Sequence, residues 1–521
     1  MSSQTYRSTR SSKEQSLSFE DVVMTGLAKD GGLFIPSVIP KLPADFVSEW
    51  RNLPFQELAF NIMRLYVKEL EIPNDDLKKL IHSSYSTFRS DEVTPSITLD
   101  EEKGLHLLEL FHGPTYAFKD VALQFVGNLF EYFLTKRNAN VSKAEDRETI
   151  TVVGATSGDT GSAAIYGLRG KKDVSVFILY PTGRISPIQE EQMATVEDPN
   201  VHTLSVKGTF DDCQDYVKQI FGDVEFNNKY HVGAVNSINW ARILAQMTYY
   251  FYSYFQLLNK LGDKADASKI RFVVPSGNFG DILAGYYAKE MGLPADKLVI
   301  ATNENDILDR FLKSGRYEKT ADPSKPAEVK ATYSPAMDIL ISSNFERLLW
   351  YLIRDNLAQN NDEAAGDILN QWMNQLKSEG SVVAPESVVK AASATFSSQR
   401  VTDEETSATI KKIYHSHPRK YVLDPHTAVG VFTSYKFIAD DEAAGNKNVN
   451  YISLSTAHPA KFSEVVNKAL DGVDGYSFEK DVLPAELKAL SEKEKRLLLV
   501  EDPSLEKIKS IIIEELAKEA K

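Results

Sequence analysis

The 521 residues hold 42% apolar, 25% charged and 10% aromatic side chains, with 27 Gly and 21 Pro; these values suit a globular chain of about three or four structural units and exclude disorder and collagen. Lys plus Arg number 59 against 73 Asp plus Glu, a formal charge of −14, which argues against nucleic acid or an anionic membrane as a partner while leaving small anions open. The single cysteine, Cys213, excludes an internal disulfide and a cysteine-based metal cluster and fits a reducing compartment, so a cytoplasmic location is expected.

The opening stretch, MSSQTYRSTRSSKEQSLSFEDVV, meets Glu14, Glu20 and Asp21 early and has no apolar core, so it does not read as a targeting peptide. Amphipathic runs at FQELAFNIMRLYVKELE and DDLKKLIHSSYSTF predict a helical N-terminal cap over residues 1–97, interrupted by a turn-like DGGLFIP at 30–36. From about residue 104 short aliphatic runs alternate with glycine-, serine- or proline-rich turns and helical stretches. LHLLEL, ITVVGA, VSVFILY, IRFVVP, LVIAT and YISLS are the predicted strands. Strands alternating with helices predict right-handed βαβ units and a mostly parallel α/β core. The expected division is a smaller α/β lobe over 98–245 and a larger one over 246–521. ILAQMTYYFYSYFQLL, residues 243–258, is too short and too polar to span a membrane and predicts a buried helix. Residues 314–338 carry three prolines and no periodicity, which predicts a surface connection. A helical insertion is expected at about 343–415, and a strand and amphipathic helix close the chain.

In open parallel sheets ligands bind where strands end and helix N-termini present free N–H groups. GATSGDTGS, Gly154 to Ser162, is such a turn, with three glycines and four hydroxyl side chains ahead of a helix. It suits a carboxylate or a phosphate, but it lacks the lysine of a Walker A loop and the spacing of a dinucleotide site. A tight turn with glycines only for geometry is the competing reading. PSGNFGD, Pro275 to Asp281, is a second turn of the kind; together they imply one ligand with two anionic ends or two ligands that meet. In HGPTYAFKD, Lys119 sits just inside a helix start, where a cation is electrostatically misplaced. Partial desolvation there would leave a neutral amine able to attack a carbonyl, as Schiff-base chemistry requires; an exposed surface lysine is the alternative. His112, His426 and His458 border turns and are expected to pack or hydrogen-bond, and no cluster of His, Cys or carboxylates argues for a metal.

HGPTYAFKD, GATSGDTGSAA, VPSGNFGDILAGY, SPAMDILISSNFERLLW and LSTAHPAKF, in this order, make the chain resemble the threonine synthase family in its long form, from YRSTR near residue 6 to the closing helix. The resemblance implies the fold-type II (tryptophan synthase β-like) architecture of pyridoxal 5′-phosphate (PLP) enzymes, with a helical N-terminal domain and two parallel-sheet lobes. It implies conversion of O-phospho-L-homoserine and water to L-threonine and phosphate. By resemblance Lys119 carries PLP, and Gly277, Asn278, Phe279 and Gly280 bind its phosphate. Asp281 adjoins that loop and by resemblance belongs to the cofactor site, where it is expected to contribute a backbone contact while its side chain caps the helix, and the Thr456 hydroxyl faces the pyridine nitrogen. A neutral partner there limits how much carbanion character the ring absorbs and favours elimination and replacement; a helix N-cap is the bland role for Thr456. Ser157, Gly158, Asp159, Thr160 and Gly161 are implied to take the substrate carboxylate. Relatives with Asn in place of Asp159 leave that residue's contact to the cofactor open. Candidates for the leaving phosphate are Arg184 with Ser186, and Asn236, Ser237, Asn239 and Arg242, since arginine offers a fork for phosphate oxygens. A phospho-lyase releasing an oxo acid, and a non-catalytic PLP-binding scaffold, are the competing functions. No S-adenosylmethionine segment is evident, and a monomer or weak oligomer is expected.

Overall fold

Two parallel sheets organise the computed structural model, which describes residues 4–322 and 324–519. The larger runs Phe396–Arg400, Lys297–Thr302, Lys269–Pro275, Val449–Ser455, Leu105–Glu109 and Ser96–Asp100. All its neighbours are parallel except the last pair, an antiparallel hairpin with a register shift between Thr98 and Asp100. The smaller sheet runs Leu498–Val500, Val201–Val206, Val174–Pro181, Ile150–Ala155 and Val232–Gly233, parallel throughout. Central strands covered on both faces read as continuous apolar runs, and all eight residues of Val174–Pro181 are buried.

Sheet membership departs from the expected division at residue 245. Leu105–Glu109 lies early in the chain yet pairs with Val449–Ser455 in the larger sheet, and Leu498–Val500 returns to edge the smaller one against Val201–Val206. Local periodicity predicts a strand but not its partner, which the core chooses. The 343–415 block is likewise more than a helical decoration: its helices Phe345–Asn356, Asp362–Glu379, Glu386–Thr395 and Asp403–Ser416 enclose the strand Phe396–Arg400, which edges the larger sheet. In the N-terminal region Phe34–Pro36 extends from the predicted turn to pair with Tyr6–Ser8. Within 314–338, Arg316–Glu318 pairs with Ser381–Val383.

The predicted buried helix is Trp240–Leu261, most of whose side chains are buried. It packs against Lys119–Arg137, Gly280–Met291 and the N-terminal helix Phe55–Met63. Among the described residues no helix is long and apolar enough to cross a membrane. This helix and Lys119–Arg137 join the apolar layers of the two sheets in one cluster, which holds the carboxyl ends of both sheets around a shared cleft.

Candidate active site

The cleft has a volume of about 2280 Å³, above the roughly 300–1,000 Å³ of a typical small-molecule site, which is room enough for more than one small ligand. Lys119, Ser157, Asp159, Thr160, Arg242, the Gly277–Asp281 turn, His426 and Thr456 all line it. The sequence motifs scattered over some 340 positions therefore meet.

Lys119 is the first residue of its helix, Lys119–Arg137, and no side chain caps that end. Its loop is fixed to the Thr456 loop by an isolated bridge between Ala117 and Ala457 and by amides of Phe118 and His458 donating to the carbonyls of Thr456 (2.8 Å) and Tyr116 (3.0 Å). Tyr116 has φ +61, a backbone position unfavourable for a non-glycine residue; Arg89 stacks 3.8 Å over its ring and His458 packs edge-on at 5.3 Å. Burial pushes the Lys119 ammonium down to about 8, with Asp159 opposing the shift and Arg242 and Lys461 reinforcing it. Burial, with a helix start and two nearby cations, brings the amine closer to its nucleophilic neutral form at physiological pH than a free lysine would be.

The turn after Lys269–Pro275 is built as a cradle. Phe279 takes φ +65 ahead of the helix Gly280–Met291 and buries its ring against Phe345 and Phe396. Ser342 donates to the Gly277 carbonyl (2.6 Å) and the Asn344 amide to that of Asn278 (3.0 Å). The turn's carbonyls are thus engaged from behind, while the amides from Gly277 to Gly280 have no acceptor among the described residues. A Cβ on Gly277 would lie 3.0 Å from Met337 Cα and 3.2 Å from the Ala336 carbonyl. The Ala336 amide in turn donates to His426 Nε2 (3.1 Å), and His426 Nδ1 meets Asp424 Oδ1 at 2.8 Å, so His426 braces the segment that covers the cradle. Asp281 does not cap its helix as expected. Its carboxylate accepts from the Tyr249 and Tyr250 hydroxyls at 2.6 and 2.9 Å, its Oδ2 has no partner among the described residues, and burial raises it to about 6 against those two bonds.

The other turn differs. The Thr156 hydroxyl accepts the amides of Gly158 (2.9 Å) and Gly161 (2.8 Å), so those two N–H groups are taken within the turn, while Ser157, Asp159 and Thr160 line the cleft. Gly158 has φ +137, and a Cβ there would meet Gln189 at 2.3 Å. Asp159 pairs with Lys461 at 2.7 Å and accepts from Gln189 Nε2 at 3.0 Å. Burial would raise its carboxyl, but Lys461 and Lys119 outweigh that and hold it well below the usual carboxylate range. Sequence reasoning assigned no role to Lys461 or Thr156; a lysine inside the buried HPAKF turn was the available signal.

Among the phosphate candidates, Arg242 stands apart. It is 4% exposed, its Nε and Nη1 have no hydrogen-bond partner among the described residues, and burial lowers its guanidinium to about 10. A buried cation without a carboxylate is costly unless an anion joins it. Asn236 and Ser237 line the cleft beside it. Asn239 instead caps the helix Trp240–Leu261, accepting from the Ala241 amide (3.0 Å) and donating to the Val23 carbonyl (2.9 Å). Ser186 caps Pro187–Ala194 in a capping box with Gln189, and Arg184 is exposed outside the cleft lining. Thr456 is not the cap of the Pro459–Phe462 turn; His458 is, accepting from the Ala460 amide at 3.2 Å. The Thr456 side chain is therefore left to the cleft.

Comparison with known proteins matches this geometry to one family. Family profiles described as "Threonine synthase N terminus", "Pyridoxal-phosphate dependent enzyme" and "Threonine synthase, C-terminal" match residues 5–85, 92–412 and 427–512. Threonine synthase of Saccharomyces cerevisiae is 65% identical over 99% of both chains. The chain belongs to the threonine synthase family. The family's yeast crystal structure superposes with a TM-score of 0.94 at 64% identity over 99% of each chain, and the PLP-bound threonine synthase of Brucella melitensis with 0.85 at 40% over 98% and 99%. Fold-type II architecture and a PLP cofactor follow for this threonine synthase family member. Its residues fit the group: a buried amine, a turn whose amides from Gly277 to Gly280 have no acceptor among the described residues, and an unpaired arginine stand together in one cleft.

Proposed function

We propose that the chain converts O-phospho-L-homoserine and water to L-threonine and phosphate. The observation that carries this reading is the buried, unpaired Arg242 guanidinium in the same cleft as the cofactor cradle. It supplies a second phosphate site, so the substrate, like the cofactor, is a phosphate ester.

When bound, PLP supplies an electron sink that stabilises negative charge on the substrate carbons. Lys119 would hold the cofactor through Nζ, and the same nitrogen, its basicity lowered by burial, would carry protons to and from those carbons. The amides from Gly277 to Gly280 and the dipole of the helix behind them hold the cofactor phosphate. Asp281 contributes by holding Tyr249 and Tyr250, with its carboxylate turned away from the turn's amides. Thr456 would offer the bound cofactor ring a neutral hydroxyl, and Ser157 and Thr160 would hold the substrate carboxylate. Arg242, with Asn236 and Ser237, binds the substrate phosphate. In the overall exchange the γ carbon–oxygen bond to phosphate breaks, the β carbon gives up one proton and gains hydroxide from water, and of the two protons released one joins the γ carbon and the other leaves with the phosphate. Arg242 favours the bond cleavage because its charge meets the charge that develops on the departing phosphate.

Product analysis tests the reading. Threonine and phosphate in equal amounts from O-phosphohomoserine are expected, and oxo acid with ammonia would overturn it. Lys119→Ala is expected to lower turnover at least about 10⁴-fold, the scale for losing a covalent catalyst, with unfolding little changed.

A further inference from the structure

Lys461 is a fully buried charged side chain near the cleft, at 0% exposure, and its ammonium makes two contacts. It pairs with Asp159 at 2.7 Å and donates to the Thr115 carbonyl at 2.9 Å. Those contacts lie on three different segments. Lys461 sits on the short helix Pro459–Phe462 after a strand of the larger sheet, Asp159 begins the helix after a strand of the smaller sheet, and Thr115 belongs to the loop that delivers Lys119. The Thr115 amide and hydroxyl in turn donate to Asp120 at 2.7 Å each, next to Lys119, and Gln192 supports the same carbonyl at 3.1 Å.

Isolated, a buried lysine is among the costliest residues to fold around, and hydrophobic packing of the same volume would be the more stabilising choice. Its presence requires the carboxylate. Asp159 stands close enough to Lys119 for the two to influence each other's charge, yet among the described residues Lys119 forms no ion pair, its ammonium instead lying 5.8 Å from the Phe118 ring centre. Without a competing cation, a buried aspartate beside a buried lysine pairs with it. We propose that Lys461 is a positioning residue of the active site, which engages Asp159 across the seam between the sheets and so keeps that carboxylate from capturing the Lys119 amine. The groups that act on Lys119 are Asp159, Arg242, Lys461 and Asp120; of these only Lys461 has Asp159 as a direct partner. The inference rests on Lys119 being the cofactor lysine.

The test titrates Lys119 in the cofactor-free full chain, following the pH dependence of its acetylation by peptide mass spectrometry in wild type, Lys461→Met, Asp159→Asn and the double variant. Lys461→Met is expected to raise the Lys119 midpoint by at least about one pH unit and Asp159→Asn to lower it, with the double variant within about half a unit of wild type. A role in packing alone predicts no opposed shifts. An unchanged or lowered midpoint in Lys461→Met, or a double variant further from wild type than either single one, overturns the proposal. Should Lys461→Met fail to fold, urea unfolding of the double variant decides: recovery of most of the lost stability supports charge balance, and no recovery overturns it. Neither measurement needs cofactor or substrate, so a different reaction product would refute the proposed function and leave this result standing.

Discussion

The two glycine-rich turns look interchangeable as sequences, SGDTG and SGNFG, but they are wired in opposite senses. At Gly277–Gly280 the carbonyls are bonded from behind by Ser342 and Asn344 and the amides point free. At Ser157–Gly161 the Thr156 hydroxyl captures two amides, and the side chain of Asp159 is held by Lys461 and Gln189. The first turn is an anion cradle with a preset shape suited to a resident phosphate. The second is a stiffened rim with fewer free donors, suited to a substrate that must arrive and leave. A glycine pattern shows where the backbone can come close to a ligand, and the neighbouring hydroxyls and carbonyls decide what it offers there.

The largest separation of the two turns should come from their glycines. Gly158→Ala adds a Cβ at φ +137 and 2.3 Å from Gln189, so steady-state kinetics should show kcat/KM lowered about 100-fold, in line with roughly 1–3 kcal/mol of backbone strain plus a displaced partner of Asp159. Its PLP affinity should change little. Gly277→Ala should do the reverse, raising the PLP Kd about tenfold, some 1.4 kcal/mol, with KM for the phosphorylated substrate nearly constant in saturating cofactor. The same effect from both variants would erase the distinction. Arg242→Gln sharpens it further. Loss of about 2–4 kcal/mol in kcat/KM is expected, whereas stability in the absence of ligands should hold or improve, because an unpaired buried cation has been removed; a stability loss matching the catalytic loss would reduce Arg242 to a structural role. Reconstitution of the cofactor-free chain should accelerate about tenfold per pH unit and level off above about 8, since burial lowers the Lys119 ammonium to that value and only the neutral amine reacts. A rate still climbing at pH 10 would contradict the desolvated setting of Lys119. The smallest effect is Ser186→Ala, where losing the cap should cost about 1 kcal/mol of unfolding free energy and leave KM unchanged.

The strands, the turns and the misplaced lysine were legible because each is a local pattern: apolar runs, glycines at strand ends, a cation at a helix start. Partnerships between distant segments were not. Nothing around Leu105 marks Tyr451 as its neighbour, and nothing around Leu498 marks Leu204. Residue type located the anion chemistry but misjudged individual side chains for the same reason. Asn239 and Ser186 share the polarity of a ligand-binding residue, yet each lies one step before a helix and its oxygen is taken by the first turn. Asp281 looked like a cap, but Tyr249 and Tyr250, contributed by the preceding helix, compete for its carboxylate. Lys461 was hidden by the opposite error, because a lysine is presumed exposed until the structure shows an acid buried beside it.

The return of Leu498–Val500 to the smaller sheet also sets an order of events during synthesis. Strands at residues 150–206 emerge early but their sheet keeps an open edge until residue 500 has left the ribosome, and the pairing of Leu105–Glu109 waits for residues 449–455. Such long-range closures slow folding and leave strand edges exposed to other chains in the interval. A nascent chain of this protein is therefore expected to depend on chaperone cover until its last strand is made, and a premature stop shortly before residue 498 would leave the sheet that carries Asp159 with that edge uncovered.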